Sequence, residues 1–115
     1  MRIFIAGNYG KRRGASLFER HANVQKMIGA ARERLKKGHN VYVPNLWHFL
    51  DVGWEQGLSE PEYFELGLEW LSLCDALYLM PDVYTQGSGA LIESGVAEAL
   101  GKAIYTKLED IPDGN

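Results

Sequence analysis

Glu93 stands about one helical turn inside the helix-forming run Gln86–Lys102, just after the glycine-rich turn Gly87-Ser88-Gly89. The unpaired N–H groups and positive dipole end of such a helix favour an anion. Gly87 and Gly89 let a ligand come close to the backbone. The Ser88 hydroxyl can cap the helix or bond a phosphate or sugar oxygen. By the same electrostatics a carboxylate near a helix N-terminus is expected to stay ionised, which suits a nucleophile or base rather than a proton donor. Ile92, Val96, Ala99 and Leu100 read as the apolar stripe. That puts Glu93 roughly 100° from Ile92, beside the core-facing side. The alternative is a surface glutamate that only complements the dipole.

A second glycine-rich loop, Gly7-Asn8-Tyr9-Gly10-Lys11-Arg12-Arg13-Gly14, follows the first apolar run. Gly7 and Gly10 allow close approach, and Lys11 and Arg12 bring positive charge; a plain tight turn is the other reading. Neither loop has the spacing of the P-loop or dinucleotide fingerprints. Asp75 and Asp82 are candidate acids, although each also reads as a turn residue. His21, His39 and His48 share no metal-ligand spacing with Cys74 or with one another, so no metal and no other cofactor is expected. Cys74 reads as a buried thiol with no base nearby. Trp47, Trp54 and Trp70 can stack a base, or pack in the core or a subunit interface.

The elements that must position these groups alternate along the chain. Ile3–Ala6, Val41–Val43, Cys74–Met80 and Ala103–Thr106 are short apolar strands. Ser16 with Glu19 has the form of a capping box opening a helix that ends at Lys36-Lys37-Gly38. Glu60-Pro61-Glu62 starts a second helix, with Tyr63, Leu66, Leu68, Trp70 and Leu71 on its buried side. Ser88–Leu100 is the third. Asn45–Glu60 is expected to fold over the site as a partly helical loop, and Asp110–Asn115 to form a loose tail. The pattern predicts a single α/β domain over residues 1–115, a flavodoxin- or Rossmann-like doubly wound parallel sheet of about four to five strands. Strand one should lie beside both strands two and three, opening a crevice at the C-terminal ends of strands one and three, between the two glycine loops.

A chain of 115 residues with 46% hydrophobic and 23% charged residues can bury a core. Its net charge of -3 offers no general attraction for nucleic acid or an anionic membrane. One cysteine allows no intrachain disulfide, and no run has the length of a membrane span. With Met1–Ala6 too short for a signal peptide, a cytoplasmic protein is expected.

Several stretches together resemble the nucleoside 2-deoxyribosyltransferase-like superfamily, closest to its DUF4406-type branch. They are Phe4-Ile5-Ala6-Gly7-Asn8-Tyr9, Asn23, Gly38-His39-Asn40-Val41-Tyr42-Val43-Pro44, Cys74-Asp75-Ala76-Leu77, and Ser88-Gly89-Ala90-Leu91-Ile92-Glu93 through Leu100-Gly101-Lys102. The resemblance implies cleavage or transfer at the N-glycosidic bond of a deoxynucleoside or nucleoside 5′-monophosphate, with Glu93 attacking the anomeric carbon. Asp75, Asp82 or a water would then protonate the leaving base. It also implies a homodimer or higher homo-oligomer, and a small-molecule partner rather than a nucleic acid polymer or membrane. The chain departs from the pattern at Phe4, where the superfamily often has a tyrosine. It departs again at Gly67 and Gly87, where an acidic residue is common; Tyr9, Tyr84 and Gln86 are candidate stand-ins. A nucleotide-binding or sensing module without chemistry is the competing expectation, and an oligomeric scaffold a third.

Overall fold

The computed structural model describes residues 1–10, 14–51, 59–83 and 88–114. Four strands, β1 (Arg2–Ala6), β2 (Asn40–Tyr42), β3 (Ala76–Leu79) and β4 (Ala103–Tyr105), form one parallel sheet in the order β2-β1-β3-β4. As expected, β1 lies between β2 and β3, and the chain reverses its direction of winding there. Register is set residue by residue: Phe4 faces Tyr42 on one side and Leu77 on the other. Among the described residues the helices are α1 (Leu17–Lys36), the single turn α2 (His48–Asp51), α3 (Glu60–Leu73) and α4 (Gly89–Ala99).

The pleat of β1 sends alternate side chains to opposite layers. Ile3 and Ile5 join Met27, Ala30 and Ala31 of α1, together with Val43, Tyr78 and Ile111. Phe4 and Ala6 join Leu77, Leu71 and Cys74 at the end of α3, and Ala90 and Ala97 of α4. Each helix has a chemical reason for starting and stopping where it does. Ser16 Oγ accepts the Glu19 N–H at 3.1 Å, half of the expected capping box. A complete box stands at α3, where Ser59 and Glu62 each accept the other's backbone N–H. Lys102 Nζ donates to the carbonyls of Ser72 and Cys74, satisfying the free C-terminal end of α3.

Four expectations are corrected. The α4 stripe was phased wrongly: Leu91, Ile92 and Leu100 are exposed, and Ala90, Glu93 and Ala97 form the buried side. On α3 the inward positions are Gly67 and Leu71, while Leu66 and Trp70 face out. Val24, Met27 and Ala31 of α1 are buried as expected, but Leu35 is exposed and Arg34 takes the inward place. The tail is not loose, because Ile111 is buried against α1, His39 Nε2 lies 2.6 Å from the Pro112 carbonyl, and the Gly114 N–H donates to Lys37 O at 2.7 Å. The segment after β2 is partly helical, through the 3₁₀ turn Pro44–Trp47 and α2.

Candidate active site

Glu93 projects from the inner face of α4, three residues after Ala90 and four before Ala97, and only 7% of its surface is accessible. Among the described residues no hydrogen bond or ion pair reaches its carboxyl. Burial alone pushes its pKa from 4.5 up to about 8. The expectation of an ionised carboxylate is therefore overturned. A helix terminus contributes ~0.3–1 kcal/mol at an exposed site and fades beyond the first turn. Each pKa unit is about 1.4 kcal/mol, so loss of hydration outweighs the dipole. At neutral pH Glu93 carries a proton.

The carboxyl meets α3 at Gly67, where a Cβ would lie 3.9 Å from Glu93 Oε2 and equally 3.9 Å from Pro44 Cβ. The position singled out for its missing acid thus does border Glu93, and the glycine leaves space beside it. Facing the same region is Tyr42, which sequence reasoning missed. Its ring sits between Phe4, 5.5 Å away, and Trp70, stacked at 5.1 Å. Burial first, then the charge of Glu93, and then Cys74 push the phenol up to about 12, opposed by the Trp47 indole. One signal was available: Val41 and Val43 alternate with Tyr42, so the tyrosine shares a face with Phe4, its partner in register.

The two aspartates do not converge on Glu93. Asp75 precedes β3, at the opposite end of the sheet from the glycine loops, and its Oδ2 accepts the Arg2 N–H at 2.7 Å. That bond lowers its pKa and makes it a turn residue, which removes it as the acid. Asp82 does lie after β3, but its carboxylate pairs with Lys26 of α1 at 3.1 Å, on the layer opposite α4.

The first loop is built largely by its own contacts. Asn8 Nδ2 donates to Asp82 O at 2.6 Å and ties the loops after β1 and β3 together. Asn45 Nδ2 donates to the carbonyls of Gly7 and Asn8. Gly7 has a packing reason to be glycine, since a Cβ there would fall 2.9 Å from both Met27 Sδ and Met80 Cγ. Gly10 has a φ of 101°, which favours glycine. Tyr9 Oη lies 2.6 Å from His48 Nδ1, and His48 Nε2 lies 3.4 Å from His21 Nδ1, a convergence that sequence spacing did not announce. Ser88 is the N-cap of α4, accepting the Leu91 N–H at 3.4 Å, and a Cβ at Gly89 would lie 3.8 Å from the Phe64 ring. Lys11, Arg12 and Gly87 lie outside the described residues, as do Trp54, Tyr84 and Gln86. Cys74 is buried, as expected, and burial raises its thiol pKa. Among the described residues no group of three or more His, Cys, Asp or Glu side chains could hold a metal ion. Nor is any described helix long and apolar enough to cross a membrane.

The family model described as "domain of unknown function (DUF4406)" matches residues 1–106. The chain belongs to the DUF4406 family. No protein of curated function matches it. Two solved structures share the fold of this DUF4406 chain. A 2-deoxyribosyltransferase from the psychrotolerant bacterium Bacillus psychrosaccharolyticus is 22% identical with a TM-score of 0.61, over 90% of this chain and 69% of that one. The 2-desoxiribosyltransferase from Leishmania mexicana is 18% identical with a TM-score of 0.58, over 90% of this chain and 61% of that one. Both parts of the motif resemblance, the DUF4406 branch and the deoxyribosyltransferase-like fold, are thereby borne out.

Proposed function

We propose that this DUF4406 protein cleaves or transfers at the N-glycosidic bond of a nucleoside or nucleoside 5′-monophosphate, with Glu93 as nucleophile. One observation carries the reading: a carboxyl on the inner side of α4, buried and without a partner among the described residues. Such a group costs stability, which argues for a use. The fold shared with the two deoxyribosyltransferases supports the substrate class. Glu93 loses its proton, its carboxylate oxygen forms a bond to C1′, and the C1′–N bond breaks with its electron pair going to the base. The base takes up a proton. With Asp75 at the opposite end of the sheet and Asp82 paired to Lys26, that proton comes from water. Water then hydrolyses the glycosyl ester, or a second base accepts the sugar. Hydrolysis is the favoured outcome, with Lys11, Arg12 and Ser88 suited by type to a 5′-phosphate.

The test is to incubate the protein with deoxynucleosides and their 5′-monophosphates and follow base release or exchange by chromatography. Base release should rise as pH passes through about 8, where Glu93 ionises. Glu93→Ala should abolish it and Asp75→Asn should leave it unchanged. Full activity in Glu93→Ala would remove the nucleophile from the scheme. The neutral state of Glu93 also fits a module that binds a nucleotide without turning it over. Saturable binding, equal in Glu93→Gln and with no base released, would favour that reading. The proposal includes a cytoplasmic setting and a homo-oligomer, the latter since Leu91, Ile92 and Leu100 leave α4 with an apolar outer face. Sedimentation of the purified protein checks the assembly, and a monomer at all concentrations would refute it.

A further inference from the structure

Two polar groups on this layer of the fold have bonding capacity left over among the described residues. One is the Glu93 carboxyl, in a residue only 7% exposed, and the other is the Tyr42 hydroxyl, whose buried oxygen is reached by the Trp47 indole while its own proton has no described acceptor. Buried polar groups normally find hydrogen bonds, and a spare donor on the same layer as a spare acceptor calls for an account. Tyr42 is fixed from three sides. It pairs in register with Phe4, its ring packs against the Phe4 ring, and its other face stacks on Trp70 with 17° between the planes. The hydroxyl oxygen is thereby kept from water. Two residues further on, Pro44 shares with Glu93 the space that Gly67 leaves open.

We propose that Tyr42 is the positioning residue for Glu93, its hydroxyl donating to the carboxylate once that group ionises and holding it for attack, from β2 rather than from β1. In β1 the neighbouring side chain in register is Phe4, which has no hydroxyl to offer. The raised pKa of the phenol agrees: the Glu93 charge is the first cause after burial, ahead of Cys74 at the end of α3. A donor whose proton is unspent while Glu93 is neutral has a hydrogen bond to gain when Glu93 ionises. It therefore favours the reactive form of the carboxyl. This inference rests on the function proposed above for Glu93.

Two measurements on the intact protein test it separately from that function. First, the Tyr42 ring carbon bearing the hydroxyl is followed by ¹³C NMR from pH 6 to 10. It should shift with a midpoint near pH 8, reporting Glu93, and the inflection should vanish in Glu93→Gln. A flat curve in the wild-type protein would rule out the pairing, whether or not the protein has activity. Second, Tyr42→Phe keeps the ring and its stacking, so its thermal unfolding should match the wild type. Its kcat for base release should fall about ten-fold or more with KM little changed, and the rising limb of its pH profile should move to higher pH. If base release in Tyr42→Phe equals wild type in kcat and pH profile, the positioning role is overturned. If the NMR coupling is present but no nucleoside is turned over by the wild type, the pairing stands and the proposed reaction falls.

Discussion

At the scale of single residues the chain stores a cost in Glu93. Its folded-state pKa of about 8 stands above the unfolded value of 4.5, so the native state keeps a proton that the unfolded chain has already released across that window. Stability is therefore present in full below about pH 4.5, falls as pH rises through the window, and levels off above about 8. The slope is about 1.4 kcal/mol per pH unit at most. Glu93→Gln has nearly the same shape and no charge to desolvate. It should stabilise the protein, and the gain should be larger at pH 8 than at pH 5 by a few kcal/mol, read from urea unfolding at both values. An equal gain at both pH values would mean that Glu93 is ionised in the folded protein. The phase of this residue on its helix was misread because leucines and isoleucines attract the core-facing assignment. Here Leu91 and Ile92 lie outward, and the buried side is made of Ala90, Ala97 and the one glutamate. Small alanines pack α4 against Phe4, Ala6 and Leu77 of the sheet, and Glu93 shares that buried side, with Gly67 of α3 beside its carboxyl.

Elements were more legible than residues because their signals are local. Ser16, Ser59 and Ser88 all cap helices, and Gly38, with a φ of 86°, ends the turn before β2. The topology followed from alternation and handedness, which depend on no distant contact. What escaped were particular side-chain meetings of residues far apart in sequence, such as His21 with His48 and His39 with Pro112. Two glycines inside helices have no such explanation. Gly29 in α1 and Gly95 in α4 are exposed, and a Cβ at either would meet nothing within 4 Å. Alanine lowers the backbone entropy lost on folding, so Gly29→Ala and Gly95→Ala should each stabilise by about 0.5–1 kcal/mol. Denaturant midpoints check this, and a loss at Gly95 would indicate a contact with another copy of the chain. Ser88→Ala should act in the opposite sense. It should cost about 1 kcal/mol by removing the α4 cap, and the loss of order at the first turn should be visible in amide exchange of Leu91.

At the scale of the whole molecule the sheet separates two layers with different tasks. On one side α1, Val43, Tyr78 and Ile111 make an apolar layer around Ile3 and Ile5. On the other, α3 and α4 enclose Phe4 and Ala6 together with Glu93, whose burial sacrifices stability. The first layer must offset the second, and Ile111 is its outlying member, 4% exposed and held in place through Pro112 and Gly114. The expectation of a loose tail came from its polar, glycine-containing composition, which cannot reveal one isoleucine reaching α1. Ile111→Ala removes buried methyl groups at a site the tail cannot easily collapse to fill, so it should cost about 2–4 kcal/mol in urea unfolding. Because Ile111 lies across the sheet from α4, the titration of Glu93 followed by ¹³C NMR should keep its midpoint near pH 8 in the folded variant. A shifted midpoint would show that the layers are coupled through Phe4 and Ile5 and that the sheet does not insulate the site. An unchanged midpoint with a large loss of stability would place the tail wholly in the scaffold.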